Sequence, residues 1–205
     1  LIDFNQFDTI YHEHYSYLSL MSVQSIFKIN GLSIFDIEEI PTHGGSLRVF
    51  VQRSDFGNQI VTQAVDKLMN KEKLAGVNTL EYYQNFQYKV EQVKIDFLYF
   101  LIQAKKNRKK VIAYGAAAKG NTMMNFAGIR ADLIDFIVDK NPAKQFKYMP
   151  GSRIPIREEK FIIDEKPDFV VILPWNLQKE VIQQLDYIRE WGGQFVIAIP
   201  KIKVL

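Results

Sequence analysis

Lys110-Val111-Ile112-Ala113-Tyr114-Gly115-Ala116-Ala117-Ala118-Lys119-Gly120-Asn121 decides how the second half of the chain folds. Val111 to Tyr114 is a short apolar run bounded by charge and glycine, the pattern of a strand buried on both faces. A turn of small residues follows, then a helix expected to about residue 127. The same alternation continues. Strands are expected at Leu133-Ile134-Asp135-Phe136-Ile137-Val138-Asp139, more weakly at Phe161-Ile162-Ile163, and strongly at Phe169-Val170-Val171-Ile172-Leu173-Pro174. After a helix over about 177–191, Phe195-Val196-Ile197-Ala198-Ile199-Pro200 is the last strand. Strands alternating with helices predict a parallel sheet covered on both faces, and right-handed crossovers make it a Rossmann-like domain over residues 108–205.

In such a sheet the strand-to-helix turns at the C-terminal edge face the ligand crevice. The turn at Gly115 would let a phosphate approach backbone N–H groups at a helix start, with Lys119 adding charge and Asn121 close by. Its spacing is neither Gly-x-Gly-x-x-Gly nor a P-loop, and a tight turn made for helix packing is the plain alternative. Asp139 ends the second strand where a ribose hydroxyl is often held; it also suits a turn, and Lys144 lies just beyond. Trp175 and Asn176 end the third strong strand, where an indole could stack on a base or sugar.

Upstream, residues of about 16–30 show helical periodicity, with Ser16 as a start and Gly31 as a stop. Leu32 to Ile40 and Leu47 to Val51 partly alternate around His43-Gly44-Gly45-Ser46, which predicts an antiparallel pair. A hairpin alone is marginal in water and needs a partner surface. Residues 57–107 read as two helices, one with Ile60, Val61, Ala64, Val65 and Leu68 on its stripe. The other runs from about Leu80 to Lys106, with Tyr83, Phe86, Val90, Val93, Phe97, Phe100 and Leu101 as its apolar face.

Near the start stands Tyr11-His12-Glu13-His14-Tyr15, which holds two of the three histidines. Each of these side chains donates or accepts protons, and histidine does so near neutral pH. Such a cluster suits proton transfer; an exposed polar turn is the plain alternative. A metal site with His43 as third ligand is disfavoured, because no spacing ties His43 to the pair.

The totals exclude other classes. The 205 residues are 47% hydrophobic and 24% charged, with a net charge of +3; a folded soluble protein is expected, and no nucleic-acid surface. The chain has no cysteine, so disulfides and thiolate metal sites are out, and a cytoplasmic location is expected. No apolar run reaches membrane-span length. The opening at Leu1-Ile2-Asp3-Phe4 reads as the interior of a longer protein.

Six motifs in order carry a resemblance: Phe7-Asp8-x-x-Tyr11-x-Glu13-His14, His43-Gly44-Gly45-Ser46-Leu47-Arg48, Tyr114-Gly115-Ala116-x-Ala118-Lys119-Gly120, Asp139-x-Asn141-Pro142-x-Lys144, Pro150-Gly151-x-x-Ile154-Pro155 and Pro174-Trp175-Asn176. Together they resemble the C-terminal part of the S-adenosylmethionine (SAM)-dependent C-methyltransferases that act on nucleotide-linked keto-deoxysugars. The helix and hairpin likewise resemble the end of a class I methyltransferase domain.

The resemblance implies residues 1–56 as that domain's end, 57–107 as a helical connector and 108–205 as the C-terminal domain. It implies SAM as methyl donor, bound mainly upstream, and zinc only in an N-terminal module outside this chain. The fragment alone is then expected to be inactive. It implies His14, Tyr11 and Glu13 as catalytic residues, with either His14 or Tyr11 as the base. His43, Gly115, Lys119, Asn121, Asp139, Lys144, Trp175 and Asn176 would bind the nucleotide-sugar. The alternatives are an NAD(P)-binding oxidoreductase domain and a nucleotide-sugar binding module without chemistry.

Overall fold

The computed structural model describes all residues, 1–205, and divides them into two compact units. The first holds Leu1–His14 and Tyr88–Leu205, the second Tyr15–Gln87. These divisions fall at 14/15 and 87/88, where the resemblance implied 56/57 and 107/108.

In the second unit, helix α1 (Leu20–Ile29) starts at Ser19, whose Oγ accepts from the Ser22 N–H. Ser16, the expected start, lies outside it. A more distant partner sets this boundary: the Glu72 carboxylate accepts from the Leu20 N–H at 2.7 Å and the Met21 N–H at 2.9 Å. Two orphan amides and the positive helix end are thus served by one anion. Strands β1 (Leu32–Ile40) and β2 (Ser46–Arg53) pair antiparallel, with a bulge between Ile34 and Asp36. They form a two-stranded sheet. What the hairpin needs is supplied by α1 and helix α2 (Gln63–Ala75), through a buried cluster of Leu20, Ile34, Ile37 and Val65. Helix α2 begins later than its apolar stripe suggested, and Ile60 and Val61 precede it, exposed. We expect Glu72→Ala to lower the urea midpoint of this unit, at a cost of about 1 kcal/mol. Glu72→Gln should lose less, since its carbonyl oxygen still accepts one amide.

The expected helix from Leu80 breaks at Asn85 into α3 (Glu81–Gln84) and α4 (Phe86–Lys106). Tyr83 therefore leaves the stripe. In α4 the buried residues are Val90, Val93, Phe97, Leu101 and Ala104, one helical face.

The first unit carries a six-stranded sheet. In chain order its elements are β3 (Val111–Tyr114), α5 (Ala118–Ala127), β4 (Ile137–Val138), β5 (Ile156–Arg157), α6 (Lys160–Glu165), β6 (Phe169–Ile172), α7 (Gln178–Gln184), β7 (Gln194–Ile197) and β8 (Lys203–Val204). The order across the sheet is β5-β4-β3-β6-β7-β8; all neighbours are parallel except β8 on β7. This is the expected Rossmann-like α/β arrangement with an antiparallel edge strand added. Alternate residues of a strand face opposite sides. Ile112, Tyr114, Val170, Ile172, Phe195 and Ile197 cluster with Ile162 of α6, Val181 of α7 and Leu185 just after it. On the other face, Val171 meets Phe97 of α4 and Met123 of α5.

Three details differ from the sequence reading. Phe161-Ile162-Ile163 lies in α6, and the edge strand of that region is Ile156–Arg157. Ile162 is fully buried under the sheet, so a three-residue apolar run served a helix face equally well. Only Ile137 and Val138 of the 133–139 segment are regular strand. The helix from 177 gives way to a 3-10 turn over Asp186–Trp191.

Candidate functional site

Gly115 ends β3 with φ +93°, and a Cβ there would lie 2.5 Å from Pro174 Cδ. The position needs glycine twice over, for its backbone and for the ring pressed on it. Gly120, inside α5, is equally confined: a Cβ would lie 2.7 Å from Leu173 Cδ1 and 2.8 Å from Leu173 Cβ. The two glycines bring the turn after β3 and the loop after β6 into contact. These strands are adjacent at the centre of the sheet, where the strand order reverses and open α/β sheets hold ligands. We expect Gly120→Ala to destabilise the protein by about 1–3 kcal/mol through overpacking against Leu173. A thermal melt measures this, and an unchanged Tm would mean α5 can shift off the sheet freely.

Helix α5 starts at Ala117 with no side-chain cap and no acidic residue in its first turn. Its N-terminal amides and dipole favour an anion. Beside it, Asp139 is committed within the chain. Its carboxylate accepts from the Ala116 N–H and the Asn141 N–H, each at 2.8 Å, and from Lys144 Nζ at 3.2 Å. Gln145 Nε2 donates to the Asp139 carbonyl at 2.9 Å. Asn121 accepts at its side-chain oxygen from Asn125 Nδ2, 3.2 Å away.

Lys119, Trp175 and Asn176 do come together, and they meet a residue that sequence reasoning missed. Asp8 is 1% exposed, and Trp175 Nε1 donates to its Oδ2 at 2.7 Å. Lys119, 6% exposed, lies with Nζ 4.3 Å from the centre of the Trp175 ring and donates to Asn176 Oδ1 at 3.0 Å. Burial pushes the Asp8 carboxyl up to about 6, against the opposing pulls of the Trp175 hydrogen bond and the Lys119 charge. Burial likewise lowers Lys119, and Asp8 partly offsets it. The void beside Asp8 and Trp175 is about 10 Å³, room for a water and no more. The cluster is therefore a packed internal contact, and in this arrangement the Lys119 ammonium is turned inward. The only signal for Asp8 in the sequence was its place in Phe7-Asp8-x-x-Tyr11.

The Tyr-His-Glu-His cluster follows directly. Phe7 packs on Phe126 of α5 with ring centres 5.0 Å apart, and Phe7–Thr9 forms a 3-10 turn. Tyr11 O accepts from the His14 N–H at 2.9 Å, closing a turn. The Tyr11 and His14 rings stack with centres 4.1 Å apart. His14 Nδ1 lies 2.8 Å from the Thr9 carbonyl oxygen. A carbonyl only accepts, so Nδ1 carries the proton, and in the neutral ring Nε2 is the basic nitrogen. Glu13 is exposed, with its carboxylate 3.9 Å from His12 Nε2. His43 sits in the other unit, in the 3-10 turn Thr42–Gly44, with φ +55°. No group of three or more metal-ligating side chains is gathered anywhere, and no helix is long and apolar enough to cross a membrane.

The sheet, the glycine-tightened turns at its centre and the His-bearing segment packed on α5 define a Rossmann-like α/β domain. The chain belongs to the C-methyltransferase C-terminal domain family, which it matches over residues 41–200. It is 34% identical over all its 205 residues to the C-methyltransferase NovU of Streptomyces niveus. It spans 49% of the length of that relative.

Proposed function

We propose that this chain is the C-terminal part of a SAM-dependent C-methyltransferase whose substrate is a nucleotide-linked keto-deoxysugar. The observation that carries the proposal is the His14 geometry: a tautomer set by the Thr9 carbonyl, on a ring stacked against Tyr11. A carbon beside a ketone becomes nucleophilic once its proton is removed. His14 Nε2 takes that proton. Tyr11 donates to the ketone oxygen as it becomes an enolate oxygen. Glu13 orients His14 or holds a sugar hydroxyl. The enolate carbon then forms a bond to the SAM methyl, and the sulfur–methyl bond breaks. Tyr11 as the base, with His14 as the enolate stabiliser, is the variant the same contacts allow.

SAM is assigned to the part of the enzyme this chain does not span, so the 205 residues alone are read as inactive. The resemblance assigns residues 1–56 to the end of the SAM-binding domain; of these, Leu1–His14 belong to the unit that carries the sheet, and no zinc role is proposed for this chain. On the sugar-nucleotide side, the N-terminus of α5 at the Gly115 turn takes the diphosphate, with Asn121 near it. Trp175 and Asn176 line the same edge. Asp139 and Lys144 shape the adjoining loop, and His43, on the hairpin, keeps its reading as a binding residue. Lys119 acts through its buried charge. A cytoplasmic location fits such a substrate.

Titration calorimetry tests the assignment. We expect a dTDP-linked sugar to bind the 205-residue chain and SAM and NADH not to bind. Binding of NADH alone would replace the proposal with an oxidoreductase domain.

A further inference from the structure

The structure assigns Asp8 as the positioning residue for His14. Three observations independent of one another lead there. Asp8 is buried among Trp175, Met123 and Leu173, and its carboxylate accepts a hydrogen bond from across 167 residues, from Trp175 at 2.7 Å. The neighbouring Phe7 ring seats on Phe126, so the segment is gripped on both sides of that peptide. The next residue, Thr9, is held by its Oγ1 donating to the Gln6 carbonyl at 2.7 Å, and its own carbonyl oxygen receives His14 Nδ1 at 2.8 Å. The loop after β6 thus grips Asp8, Asp8 places the Thr9 carbonyl, and that carbonyl selects the nitrogen of His14 that keeps its proton. Lys119, stacked over Trp175 and bonded to Asn176, holds the indole in the orientation that donates to Asp8.

This rests on the reading of His14 as the base, but its test does not need that reading. The chain has three histidines, so long-range nitrogen–proton NMR correlations of the imidazoles are resolvable. They are recorded on the 205-residue chain at a pH where the rings are neutral. Native His14 should be in the Nδ1-protonated form. Asp8→Ala and Trp175→Phe should shift it to a mixture dominated by the Nε2-protonated form that imidazole favours in water. Asp8→Asn keeps an oxygen for the indole N–H and should restore the native tautomer. In the complete enzyme Asp8→Ala should lower kcat about 10²-fold, with little change in KM.

An Nδ1-protonated His14 in folded Asp8→Ala and in Trp175→Phe overturns the assignment. So does failure of Asp8→Asn to restore the tautomer. Should native complete enzyme transfer no methyl group, the catalytic reading falls, while the tautomer shifts still decide the role of Asp8.

Discussion

His14→Ala in the complete enzyme is expected to lower kcat by about 10²–10⁴-fold, the range that a positioned acid–base group supplies. The contact with Thr9 is the reason. With Nδ1 held as a donor, the lone pair of Nε2 is aimed by the backbone, and alanine removes both the base and its orientation. KM should move far less, because the diphosphate is assigned to the α5 end of the sheet. Exchange of the sugar's acidic proton with deuterated solvent isolates the deprotonation step from methyl transfer. Loss of exchange in His14→Ala, with exchange retained in Tyr11→Phe, makes His14 the base and Tyr11 the oxyanion partner. The opposite pattern exchanges the two roles. Full turnover in His14→Ala would end the base assignment.

The second large effect is a pH-dependent stability difference at Asp8. Its carboxyl stands at about 6 in the folded chain against an ordinary 3.8, because burial outweighs the help of Trp175 and Lys119. A raised acid favours its protonated form in the native state. Its contribution to stability is therefore complete below about 3.8 and is lost as pH rises through about 6. Moving an acid's midpoint by one pH unit corresponds to about 1.4 kcal/mol, so the loss is roughly 3 kcal/mol at neutral pH. Asp8→Asn does not titrate. The stability of the variant relative to the native chain should therefore climb by that amount between about pH 4 and pH 7 and level off above. Urea denaturation across this range reads it directly. A difference that stays flat with pH would mean that Asp8 keeps an ordinary carboxyl and that the charged form sits comfortably in its pocket.

That pocket also marks where sequence reading stops. The central strands Val111–Tyr114, Phe169–Ile172 and Gln194–Ile197 were legible because strands buried on both faces are continuous apolar runs. The edges were not. Phe161 to Ile163 has too few residues to show a period, and its helical state is set by the face Ile162 buries under the sheet. The antiparallel β8 has both residues exposed, so its apolar pattern carries no core signal. Ser16 was the expected cap, but the helix starts at Ser19, a boundary set by Glu72, fifty-two residues from Leu20. At the site, Gly115, Lys119, Trp175 and Asn176 stood out because they follow the C-terminal ends of strands. Asp8 did not, since its burial depends on an indole far along the chain. Lys119 was legible as a residue but not as an orientation: the sequence suggests an ammonium offered to solvent, and the fold turns it onto Trp175.

Asp139 has a mechanical side as well. It grips the Ala116 N–H on one loop and the Asn141 N–H and Lys144 on another. The turn after β3 and the turn after β4 are thereby riveted to one another through one carboxylate. A molecule seated at the α5 end would find both already arranged and would lose little affinity to ordering them. The rivet also gives the sheet edge a fixed gauge. If the proposed ligand sits there, a guest of the wrong span would have to drag both turns to widen one, and discrimination by size would come from stiffness at a residue the guest need never touch.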